Sequence, residues 1–135
     1  MNKLSEFSDK SLLIVDDDTP FRERLSRAME KKGFVVTQAE GVKKGLDCVK
    51  SKKTAFAVVD LRLGDGNGLE VVKAIQNSNE NSRIIMLTGY GNIPTAVSAI
   101  KQGAIDYLSK PSDADDVEKA LLADPNEKAQ PPENP

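Results

Sequence analysis

The chain has 135 residues, 19 basic and 21 acidic, with a net charge of −2 and no histidine, so a basic nucleic-acid grip and His-based catalysis or zinc ligation are excluded for this stretch. A single cysteine, Cys48, leaves no disulfide framework, reads as a small hydrophobe, and fits a reducing cytoplasm. No apolar run approaches the roughly 18 residues of a membrane span, and MNKLSEFSDK lacks the apolar centre of a signal peptide.

Residues 1–10 form an N-terminal segment. The first predicted strand, 11–16, runs Leu12 to Val15 into three carboxylates, Asp16, Asp17 and Asp18. Thr19 is placed to cap a helix beginning at Pro20, with Asp18 helping to start it. Phe21, Leu25, Ala28 and Met29 share one face of that helix, and Gly33 stops it. The second strand is 34–39, followed by a helix with the stripe Val42, Leu46 and Val49. The third strand is 55–60, AFAVVD, followed by a helix carrying Leu69, Val72 and Ile75. The fourth strand is 83–88, and its helix carries Ile93, Val97 and Ile100 before Gly103. The fifth strand is 104–109, and the last helix starts near Asp113 with Val117, Ala120 and Leu121. Each strand is a nearly continuous apolar run, as expected of strands buried on both faces.

This alternation predicts an α/β fold: a five-stranded parallel doubly wound sheet in the flavodoxin-like order 2-1-3-4-5, with helices on both faces. The folded domain is 11–123. The remainder, 124–135, reads DPNEKAQPPENP, without an apolar period, and is a proline-containing linker or tail.

Ligands in such sheets bind at the carboxyl ends of strands beside the switch in strand order. Strand 1 ends there in Asp16 and Asp17, strand 3 in Asp60, strand 4 in Thr88 and strand 5 before Lys110. Neighbouring carboxylates repel unless a cation sits among them. Acids without histidine or a cysteine cluster favour Mg²⁺, with Mn²⁺ as the alternative. A metal held this way presents itself to phosphate. A carboxylate can then attack phosphorus, with lysine and metal neutralising the phosphoryl oxygens.

The motifs IVDD (14–17), VVDLRLGDGNGLE (58–70), LTGYG (87–91) and DYLSKP (106–111) resemble the receiver domain of two-component response regulators. Within that family the chain is most similar to the RegA/PrrA/ActR class of redox- and photosynthesis-linked global regulators. The resemblance implies that Asp60 accepts the phosphoryl group and that Asp17 holds Mg²⁺ directly, with Asp16 acting through water. It implies the backbone carbonyl of Arg62 as a further ligand. Thr88 would bond the phosphoryl group, Lys110 would pair with it, Tyr107 would be the switch aromatic, and Pro111 would follow a cis peptide. Arg62 and Tyr90 would flank the approach of hydrolytic water. The implied partners are a sensor histidine kinase, and DNA only through a C-terminal helix-turn-helix domain absent from this chain. A homodimer on phosphorylation is compatible with the class, and no membrane contact is expected. One departure is Gly64, where many receivers carry proline; with Gly66 and Gly68 it suggests a loop more mobile than usual.

Two rivals use the same residues. A phosphatase of the haloacid-dehalogenase type would need Asp16 and Asp18 as its acid pair, but Pro20 stands where its motif has Thr or Val. A phosphorylation-independent interaction module typically lacks one acid or the lysine, and all five site residues are present here.

Overall fold

A computed structural model of the chain describes residues 3–89, 94, 97, 100, 101, 103, 104, 106–110 and 112–123. Strand β1 (Ser11–Val15), helix α1 (Thr19–Lys31), β2 (Val35–Ala39), α2 (Val42–Ser51) and β3 (Phe56–Asp60) follow in order. Two-residue strands β4 (Arg62–Leu63) and β5 (Gly66–Asn67) form a small antiparallel ribbon before α3 (Gly68–Ser78). Then come β6 (Arg83–Thr88), β7 (Asp106–Ser109) and a C-terminal helix, Ala114–Leu122. The main sheet has the order β2-β1-β3-β6-β7, every pair parallel, so the five long strands stand in the expected 2-1-3-4-5 arrangement.

Alternate residues along a strand point to opposite faces, and the core divides accordingly. Leu13, Val15, Ala57, Val59, Ile84 and Met86 pack with Val42, Val49, Val71, Val72 and Ile75 of α2 and α3. Leu12, Ile14, Phe56, Val58, Ile85 and Leu87 pack with Phe21, Leu25, Met29, Val117 and Leu121 of α1 and the C-terminal helix. The segment before β1 joins the second layer: Leu4 is buried, and the Phe7 ring meets Phe56 edge-on at 5.2 Å.

Several local expectations change. Asp18, not Thr19, caps α1: its carboxylate accepts from Phe21 N, and Thr19 is the first helical residue. β2 is not buried on both faces; Val35 is 61% exposed and Thr37 and Gln38 are also exposed, because an edge strand is covered less than a central one. β7, the other edge, is likewise only partly covered. Val97 and Ile100 are helical but 42% and 39% exposed, so they do not belong to the core stripe expected of them. The fifth strand starts at Asp106 rather than 104. Tyr90, Ile93, Pro111 with its peptide bond, and residues 124–135 lie outside the described residues.

Candidate functional site

The carboxyl ends of β1, β3, β6 and β7 converge because the parallel register aligns them. Asp60 pairs with Leu87, Thr88 pairs with Ser109, and Lys110 N donates to Thr88 O at 2.7 Å. Asp16 and Asp60 are buried while Asp17 is exposed, and one oxygen from each of the three lies within 4.8 Å of the others. The five acid, hydroxyl and amine positions singled out in the sequence therefore share one edge.

Lys110 is the positive group among the acids. Its Nζ donates to Asp16 Oδ1 and Asp60 Oδ2, both at 3.1 Å, and stands 2.9 Å from Asp16 Oδ2 as an ion pair. That last oxygen is fully buried and has no directed hydrogen bond among the described residues. Asp16 Oδ1 also accepts from Asp18 N at 2.9 Å, which fixes the carboxylate's orientation. Burial, and then the charge of Asp16, push the Asp60 carboxyl above its ordinary range against the pull of Lys110. Burial disfavours the charged Lys110 amine, but hydrogen bonds and charge from Asp16 and Asp60 outweigh it and raise its pKa. Thr88 Oγ1 is buried and without a hydrogen-bond partner among the described residues. Such a hydroxyl gains from any acceptor brought beside it.

This donor set fits a hard divalent cation. Three carboxylates converge, one buried oxygen lacks a directed donor, and exposed Asp17 leaves room for water ligands.

Tyr107 is partly buried against the layer formed with α2 and α3, opposite Met86 in the ladder. Arg62 is exposed in β4, and its N–H donates to Asp60 Oδ1 at 3.3 Å. Three contacts had no signal in the sequence. Arg22 of α1 donates to Asp16 O at 2.8 Å and to Gln38 Oε1 at 2.9 Å, and the Phe21 ring lies 4.8 Å from Lys110 Nζ. The glycine loop is tethered, not free: Asp65 Oδ1 accepts from Val42 N at 2.8 Å and Asp65 Oδ2 from Lys43 N at 3.1 Å. Asp65 and its partners lie more than twenty residues apart in sequence.

Residues 12–122 match the family described as response regulator receiver domain. The acid tolerance regulatory protein ActR of Sinorhizobium medicae is 58% identical over 127 residues, which are 94% of this chain and 66% of that protein. The photosynthetic apparatus regulatory protein RegA of Rhodobacter capsulatus is 57% identical over 128 residues, 95% of this chain and 70% of that protein. The chain thus spans about two thirds of the length of these relatives. A response regulator protein from Burkholderia pseudomallei, solved with a phosphorylated aspartic acid, calcium ion and citrate, superposes with a TM-score of 0.82 at 37% identity, covering 88% of this chain and 70% of that one. A receiver domain protein from Methanospirillum hungatei superposes with a TM-score of 0.80 at 28% identity, covering 90% and 97% of the two chains.

Proposed function

The chain belongs to the response regulator receiver domain family and is a phosphorylation-activated receiver; on that footing we propose that Asp60 is the phosphoryl acceptor. One observation carries the assignment: Asp60 ends the central strand β3, between the Asp16 end of β1 and the Thr88 end of β6, where it belongs to the acid cluster and, like Asp16, accepts from Lys110. An Asp60 carboxylate oxygen attacks phosphorus of a phosphohistidine, the P–N bond breaks, an acyl phosphate forms, and the leaving imidazole takes up a proton. Such a domain phosphorylates itself from a donor and does not act as a classical turnover enzyme.

In this reading Asp17, Asp60 and the Arg62 carbonyl would hold Mg²⁺, with Asp16 assisting through water. Bound Mg²⁺ supplies charge neutralisation on the phosphoryl oxygens. Lys110 pairs with one phosphoryl oxygen, and Thr88 Oγ donates to another, which gives its buried hydroxyl a partner. Tyr107 then repacks and alters the surface around β7. Arg62 flanks the path of hydrolytic water.

A sensor histidine kinase is the donor, and the chain works in the cytoplasm. Residues 11–123 are the receiver, preceded by the segment 1–10; 124–135 begin a linker to a helix-turn-helix domain through which a transcriptional output follows, with homodimerisation on phosphorylation. The names of the ActR and RegA relatives support a regulatory output. No helix among the described residues is long and apolar enough to cross a membrane. The phosphatase alternative loses ground because Asp18, its required second acid, is engaged in capping α1.

Incubation with Mg²⁺ and acetyl phosphate is expected to add one phosphoryl unit to the intact mass of the wild-type chain, and none to Asp60→Asn. Labelling of that variant at the wild-type rate overturns the assignment.

A further inference from the structure

The loop between β3 and α3 holds a carboxylate that neither the acid cluster nor the phosphoryl chemistry uses. Asp65 accepts from the backbone amides of Val42 and Lys43, the first two residues of α2. The N-cap of α2 itself is Gly41, which has no side chain for this role. A helix N-terminus carries unsatisfied amides and partial positive charge, so a carboxylate there is favoured. The two amides hold the Asp65 carboxyl below its ordinary range. Gly41 leaves space for the arrangement: a Cβ there would stand 2.6 Å from Asp65 Oδ1.

The same loop is stiffened on both sides of Asp65. Arg62 pairs with Asn67 and Leu63 with Gly66. A Cβ on Gly66 would lie 3.1 Å from Val42 Cγ2, so the loop backbone packs directly against the start of α2. At the base, Leu61 N donates to Leu87 O at 2.9 Å and Gly68 N to Leu61 O at 2.8 Å. The ribbon that carries Arg62 is therefore held at its base by β6 and at its tip by α2.

We propose that Asp65 is a positioning residue for metal binding and phosphoryl uptake: by capping α2 from the acceptor loop, it sets the geometry of Arg62 and the backbone after Asp60. The proposal rests on the reading of Asp60 and Arg62 given above. By reciprocity, a ligand that requires the held loop also tightens the α2 cap.

A purely structural cap makes a different prediction, and moving the cap separates the two. In Asp65→Ala the space beside Gly41 is vacated, so Gly41→Ser added to it lets a serine hydroxyl cap α2 locally without touching the loop. Calorimetric titration with Mg²⁺ alone is expected to show roughly tenfold weaker binding by Asp65→Ala, the scale of one charge-assisted hydrogen bond. Labelling by acetyl phosphate should slow in step. The double variant should regain the thermal midpoint but not the Mg²⁺ affinity. Recovery of both, or unchanged affinity in Asp65→Ala, overturns the proposal. In wild type, Mg²⁺ should also slow amide exchange at Val42 and Lys43, and an absence of slowing counts against the linkage. Asp65→Asn, which keeps one acceptor oxygen, carries the same comparison if the alanine variant does not fold. Wild type and Asp60→Asn run alongside: failure of wild type to take up phosphoryl sinks the acceptor assignment, whereas normal uptake with an insensitive Asp65→Ala sinks the positioning role alone.

Discussion

Asp60 is 7% exposed, and its carboxyl is held above the ordinary value of 3.8 by burial and by Asp16, with Lys110 opposing. A carboxyl with a raised folded pKa binds its proton more tightly when folded. Its stabilising contribution is complete below the unfolded pKa and is lost as pH rises through the folded value. At neutral pH without divalent cations, ionised Asp60 therefore works against the fold. Asp60→Asn is expected to raise the thermal midpoint in chelator at pH 7, with the gain shrinking as pH falls below the folded pKa. A lower midpoint in the variant would show that pairing with Lys110 outweighs burial and repulsion. Asp16, Asp60 and Thr88 were legible in the sequence because each ends an apolar run, with Asp17 next to Asp16 and Lys110 just past the last strand, and parallel pairing sends those ends to one edge. Asp65 and Arg22 were not. Asp65 bonds amides 22 and 23 residues away, and Arg22 reaches Gln38 across 16 residues, distances over which no local pattern carries a signal.

Helix α1 shows where element boundaries escape a reading of residue type. Asp18 and Thr19 are adjacent and both are good cap residues. The choice falls to Asp18, whose backbone remains extended and whose carboxylate reaches Phe21 N at 3.1 Å, while Pro20 sits in the first turn where its missing N–H costs nothing. Asp18→Ala is expected to cost about 1 kcal/mol in urea unfolding, and Thr19→Ala much less. Equal losses from the two would return the cap to Thr19. The strands present a similar ambiguity, since apolar content does not reveal whether a run is central or at an edge. VVTQA of β2 has lateral neighbours on one side only and leaves Val35 in solvent, whereas FAVVD of β3, between β1 and β6, is wholly buried. Topology decides exposure here, and topology is set by the whole alternation of elements.

The two ends of the described chain meet at the amino-end edge of the sheet, opposite the acids. Arg83, at the start of β6, lies 5.5 Å over the Phe7 ring and donates to Leu121 O at 2.6 Å and to Ala123 O. Lys32 at the end of α1 pairs with Asp115 and Glu118 of the C-terminal helix, binding that helix to the sheet's second layer. Metal binding at the opposite edge is thermodynamically connected to this entire unit, because the three acids come together only when β1 and β3 are paired. A cation that binds the folded chain alone stabilises it by mass action, by about 2.7 kcal/mol at a hundred times its dissociation constant. On a domain of this size that amounts to several degrees of thermal midpoint. Mg²⁺ should raise the midpoint progressively with concentration, and chelator should remove the effect. Asp17 is the exposed member of the cluster, so Asp17→Asn removes a ligand while leaving the buried Asp16–Lys110–Asp60 contacts in place. That variant is expected to keep a midpoint near wild type in chelator and to lose most of the rise with Mg²⁺. An undiminished rise would place the stabilising cation away from this edge.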